Sequence, residues 1–196
     1  MADDGRVPDD TVSVVPHDPG WAGRFAQAAT TLRRVLPEAL LIEHVGSTAV
    51  PGLAARDSVD VMVVIDDLGL VRERAPALAV AGFDLRLGSS FTSDDHLFLR
   101  RVVDHHRTHH VHALLPSSPA VTDYLLLRDY LRADADAAAR YGEAKIRLAA
   151  EHRPADDGRA APGPGADRNG YVRAKPMLVA AVMADARAWA AATRGA

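Results

Sequence analysis

The chain has 196 residues, 48% of them hydrophobic, and a formal net charge of −3. That length suits one domain with a real core, and the slight acidity argues against a protein that coats nucleic acid by charge alone. Cysteine is absent, which excludes disulfides, thiolate metal sites and cysteine nucleophiles. No run approaches the ~20 apolar residues needed to span a bilayer, and the acidic opening MADDGRVPDDT is unlike a signal peptide. The expectation is a cytoplasmic protein with no membrane partner. Histidine is the outlier, with nine in all and six between His96 and His112.

Residues 1–10 read as a disordered tail and residues 11–196 as a single domain. Thr11 to Val15 predicts a short strand closed by Pro16. Asp18 can cap a helix with Pro19 at its first position, running to about Leu36. Residues 39–45 form an apolar strand ending at Gly46, and residues 48–53 carry turn chemistry. Val59 to Ile65 predicts a second strand, apolar on both faces and therefore central in a sheet. Leu68 to Ala81 predicts a helix ending at Gly82. Phe83 to Leu87, Leu97 to Val103 and His109 to Leu115 are strands, the last closed by Pro116. The chain then turns helical: from Ser118 or Pro119 to Arg132, from Ala135 to Glu151, and from Asn169 to Arg194. Residues 153–168, rich in proline and glycine, predict a mobile loop. The sum is an α+β domain, with a mixed sheet in the first 115 residues, flanking helices and a helical C-terminal half.

Chemistry concentrates at two strands. Gly46 permits close backbone approach, and Ser47 with nearby amides can hold a phosphate, although Gly-Ser is also an ordinary strand end. Asp60 lies in an apolar run, where a charge costs several kcal/mol unless it is paired or bound to a metal. Alternate strand residues share a face, so a second acid for a metal would stand at position 62. That residue is Met62, which cannot bind a hard cation. His110 and His112 share a face of their own strand. Imidazole suits manganese, zinc or iron better than magnesium; it can also serve as a general base, bond a phosphate, or simply be satisfied beside a polar groove. Glu43 and His44 point to opposite faces, so one of them faces the groove, and parity does not say which. Arg107, just before the histidine strand, can reach a phosphate.

The segment IEHVGSTAVPGLAARDSVDVMVVI, residues 42–65, resembles the signature of the GrpB family. Four further segments resemble that family in the same order: VVPHDPGWAGRF, RTHHVHAL, LLRDYLRADADAAARYGEAKIRLA and NGYVRAKPMLV. The resemblance implies a nucleotidyltransferase-like fold, in which a Gly-Ser turn contacts phosphate and strand carboxylates hold two metal ions. It places His110 and His112 where a third acid would otherwise sit, and makes His44 a phosphate or metal partner. It also marks Arg128, Arg132, Tyr141, Lys145, Tyr171 and Lys175 as helical residues able to offset polyphosphate charge; the same spacing also describes a solvated face with surface ion pairs.

The implied function is metal-dependent nucleotidyl transfer from a nucleoside triphosphate to a small-molecule acceptor rather than a nucleic acid. Asp60, His110 and His112 are the catalytic candidates. Asp60 and His112 are the candidate ligands of a divalent ion, magnesium or manganese first and zinc as an alternative. Two other readings stand beside this one. The scaffold could run a different reaction on a nucleotide or phosphorylated substrate, or it could be a non-catalytic module binding a nucleotide or coenzyme A precursor. Some family members are fused to dephospho-coenzyme A kinase, which motivates the last reading.

Overall fold

The computed structural model describes residues 11–152 and 166–194. The expected disordered tail and most of the expected mobile loop lie outside the described residues. Five strands form the main sheet: β3 (Leu41–Val45), β5 (Val59–Val64), β6 (Asp84–Leu85), β7 (His96–Val103) and β8 (His106–Leu114). Their order is β3-β5-β8-β7-β6, antiparallel throughout except for the parallel pair β5 and β8. The apolar run of β5 therefore sits inside the sheet, as its lack of a polar face predicts. A two-residue turn at Asp104 and His105, both at positive φ, joins β7 to β8. That geometry matches the right-handed twist of a hairpin.

The two faces of the sheet have different partners. Val59, Val61, Val63, Val111, Leu97 and Leu99 point to one face and pack in the main core with Trp21, Leu32, Leu78 and Phe83. This core lies under α1 (Gly20–Val35), α2 (Leu68–Glu73) and α3 (Ala75–Val80). The opposite face carries Asp60, Met62, His110 and His112, beneath the helical half: α4 (Pro119–Ala133), α5 (Ala135–Glu151) and α6 (Arg168–Arg194).

Three expectations change in detail. The first strand is two pieces, β1 (Thr11–Val12) and β2 (Val14–Val15), which pair with different partners. β1 meets β9 (Ala166–Asp167), and β2 meets β4 (Ala55–Arg56), a strand too short to stand out from the turn chemistry around it. The helix expected over 68–81 is two helices meeting at Arg74, because Pro76 has no N–H to continue the ladder. The strand expected at 83–87 shrinks to β6. Among the described residues, no helix is long and apolar enough to cross a membrane.

Candidate functional site

Register alone builds the floor of the site. Asp60 pairs with His110, and His110 with Arg100, so three polar side chains form one row across β5, β8 and β7. The next row is Met62, His112 and Phe98. Above these rows lies a groove of about 1210 Å³, roofed by side chains of α4 and α6 that include Tyr124, Leu127, Tyr171 and Lys175.

At one end of the groove a small polar niche is lined by Ser47, Arg56, Ser58, Asp60, Lys145, Tyr171 and Lys175. Gly46 sets its edge. Its φ of 70° and ψ of −168° suit glycine almost alone, and an added Cβ would run into Asp60 Oδ2. The Ser47–Ala49 turn follows at once, bringing Ser47 over the carboxylate. The approach to β5 is fixed from outside the niche, where the Trp21 indole donates to Asp57 at 2.8 Å and Arg24 pairs with the same carboxylate.

Asp60 is bonded to its neighbour in the row. His110 Nδ1–H donates to Asp60 Oδ1 at 3.1 Å, and Ser58 Oγ lies 3.4 Å from the same nitrogen. Burial opposes ionisation of Asp60, yet the hydrogen bond from His110, reinforced by the charge of Lys175, holds its carboxyl well below the usual range. Three basic side chains, Arg56, Lys145 and Lys175, share the niche with that one carboxylate. Burial lowers Lys145 to about 7, helped by the like charges of Lys175 and Arg56 and opposed by Asp60. Its Nζ donates to the Ala54 carbonyl at 2.5 Å and lies 4.6 Å from the Tyr141 ring centroid. Burial also lowers Lys175, with Arg56 adding to the effect. An excess of buried positive charge around a Gly-Ser turn has the polarity of a phosphate site.

His112 sits in a different network. Burial drops it to about 3, so the ring is neutral at physiological pH. Its Nδ1 lies within hydrogen-bond distance of His96 Nε2, at 3.0 Å, and of the Tyr124 hydroxyl, at 3.1 Å. Phe98 and Phe91 pack on it with centroids 5.3 and 5.2 Å away. Asp60 bonds His110 through Oδ1, and His112 is engaged through Nδ1 one row along. Among the described residues, no three His, Asp or Glu side chains are grouped to hold a metal ion. Met62 is fully buried and offers only a thioether. With Met62 beside it, Asp60 is a single carboxylate at this place, fewer oxygen donors than two hard cations would need.

Most candidate residues meet here. Gly46, Ser47, Asp60, Arg107, His110, His112, Tyr141, Lys145, Tyr171 and Lys175 line the groove or its niche. Three do not. His44 lies on the opposite sheet face, stacked on Phe25 at 4.8 Å and bonded to Thr48 Oγ1 at 3.0 Å, with burial lowering it to about 4. Glu43 is the residue on the groove side of the sheet, and it accepts from Arg128 at 2.7 Å. Arg128 is thereby held to β3, and Arg132 donates to the Ala49 carbonyl at 2.9 Å. Both arginines tie α4 to the edge of the site instead of lining it. Arg56, Ser58, Phe91, Phe98, Arg100 and Tyr124 are the additions. Arg56 and Ser58 sit within the signature segment itself, while the others show no pattern in sequence that separates them from core or surface.

Comparison with known proteins fits this architecture. Residues 11–185 match the family described as GrpB protein. A UPF0157 protein of Streptomyces coelicolor is 32% identical over 177 residues, covering 90% of this chain and 85% of its own length. A dephospho-CoA kinase of Mycolicibacterium paratuberculosis is 30% identical over 169 residues, but only 41% of its length is spanned. The crystal structure of GrpB from Enterococcus faecalis superposes with a TM-score of 0.75 at 27% identity, covering 90% of this chain and 99% of that one. A Cid1 poly(U) polymerase structure bound to MgATP shares the fold at a TM-score of 0.51 and 13% identity, over 71% of this chain and 45% of its own. The likeness to the polymerase is one of fold, while the likeness to GrpB covers nearly the whole chain. The sequence match is nearly end to end, and the chain belongs to the GrpB family.

Proposed function

We propose that the groove binds a nucleoside triphosphate with its phosphates in the Ser47–Lys145–Lys175 niche, and transfers the nucleotidyl group to a small-molecule acceptor. The observation that carries this reading is the convergence of Arg56, Lys145 and Lys175 on Ser47 and Asp60. Lysine and arginine at that spot offset the charge of a polyphosphate and of departing pyrophosphate. Asp60 has two tasks in this reading: Oδ1 orients His110, and the carboxylate would hold a magnesium or manganese ion together with phosphate oxygens. Such an ion, when bound, neutralises phosphate charge and makes phosphorus more electrophilic. His110, with Nδ1 bonded to Asp60, takes the proton of the acceptor hydroxyl. The freed oxygen bonds to the α-phosphorus, and the bond to the bridging oxygen of pyrophosphate breaks.

The test is pyrophosphate release from each nucleoside triphosphate, with magnesium or manganese and a mixed metabolite pool. Release is expected, with Asp60→Asn lowering the rate at least 100-fold and Lys175→Ala chiefly raising KM for nucleotide. Absence of release with every nucleotide and both metals would count against transfer. A second reading, a binding module without turnover, draws on buried Met62, which leaves a single carboxylate at the metal position. Calorimetry separates the two, because tight nucleotide binding without any product is the signature of the module.

A further inference from the structure

The groove continues past the histidines. Beyond His110 in the same row stands Arg100 of β7, and Arg86, just after β6, lines the same arm together with Arg107. Arg100 is half-buried, and its Nε is enclosed with no hydrogen-bond partner among the described residues. Asp84 stands opposite Arg100 in the register, but no ion pair joins them among the described residues. Burial lowers Arg100, and the like charge of Arg86 lowers it further while Asp84 opposes. A guanidinium enclosed this way beside a second one lacks an acceptor that an incoming oxyanion would supply. Phe91 and Phe98 lie next to this arm, with ring centroids 5.3 Å apart, and Phe91 is half-exposed.

We infer that this arm holds the acceptor, and that the acceptor is an acidic small molecule. Its phosphate or carboxylate meets Arg86 and Arg100, its body lies against Phe91 and Phe98, and its nucleophilic hydroxyl reaches His110. The inference rests on the proposed nucleotidyl transfer and narrows its acceptor. Arg100 is one strand from His110 and two from Asp60, roughly 5 and 10 Å at the usual strand spacing. The triphosphate already has Arg56, Lys145 and Lys175, so a second cationic cluster across the floor matches a second anion. Arg86 and Arg100 make and break no bond in the transfer and select the acceptor by its charge.

Calorimetry in two stages tests this. The protein is first saturated with whichever non-hydrolysable nucleoside triphosphate analogue binds best, and then titrated separately with inorganic phosphate and with benzoate. A second binding event is expected for at least one probe, and the two arms tell a phosphate from a carboxylate preference. Arg86→Gln and Arg100→Gln should each weaken it at least tenfold while changing analogue affinity less than twofold. Arg86 is exposed, so its variant keeps the test valid if Arg100→Gln fails to fold. If the analogue binds and neither probe follows, the acceptor assignment is overturned while the nucleotide site stands. If both variants weaken the analogue as much as the probe, the nucleotide itself occupies this arm and the assignment is again wrong. If no analogue binds at all, the proposed function falls and takes the acceptor with it.

Discussion

Gly46 shows how little room the site leaves. Its backbone lies where other residues are strained, and the space a Cβ would take belongs to Asp60. Gly46→Ala should destabilise the fold by more than the ~1–3 kcal/mol of backbone strain, and nucleotide binding should be lost. Gly52→Ala is the control, because Gly52 also has positive φ but meets nothing within 4 Å. Urea midpoints of both variants read the difference, and equal losses would contradict the close approach. Lys145 gives a pH signature. Its folded pKa of about 7 lies below the ordinary 10.5, so between those values the unfolded chain binds more protons than the native one. Stability therefore rises with pH across that window, while affinity for anionic nucleotide falls as Lys145 loses its charge. In Lys145→Met both slopes should flatten, by thermal melts of the free protein and by nucleotide Kd against pH.

At the scale of elements, two arginines add polar ties to the apolar seam in which Val121, Tyr124 and Leu125 of α4 pack with Val45, Met62, Val64 and Leu114 of the sheet. Arg128 reaches Glu43 at 2.7 Å and the His44 carbonyl at 3.3 Å, and Arg132 reaches Ala49. A double-mutant cycle of Arg128→Ala with Glu43→Ala should give a coupling of about 1 kcal/mol, as for a partly exposed charge-assisted pair. The long elements were legible because they carry their own signals: α5 begins where Asp134 accepts from the Ala137 N–H at 2.8 Å, and β5 is apolar on both faces. Helical spacing in sequence says which residues share a face, but not what that face meets. Lys145 and Arg132 look alike by that rule, and one enters the niche while the other binds a carbonyl at its rim. Glu43 and His44 were undecidable for a similar reason. Their faces depend on the register of β3 with Met62 and Val61, which no local pattern encodes. Arg56 escaped notice because β4 is two residues long and exists only through pairing with β2.

Across the whole molecule, the sheet and the turn after β3 supply Asp60, His110 and Ser47, and the helical half supplies Lys145, Tyr171 and Lys175. A ligand in the niche therefore bridges the two. Hydrogen exchange at the amides of residues 171–175 should slow when nucleotide is added, and melting should shift upward by an amount equivalent to about 2.7 kcal/mol at 100 times Kd. An upward shift with no change in α6 exchange would place the ligand elsewhere. The parallel pairing of β5 with β8 also has a kinetic consequence. Parallel neighbours need a long crossover, and here α2, α3, β6 and β7 intervene before Asp60 finds His110, fifty positions on. Contacts so distant in sequence form slowly in folding, and Lys175 arrives only when α6 docks. A chain still emerging from the ribosome can complete the β3–β5 hairpin and offer Gly46 and Asp60. It has neither the imidazole nor the lysines, so if the proposed site is right an unfinished copy lacks the groups that would hold a phosphate there.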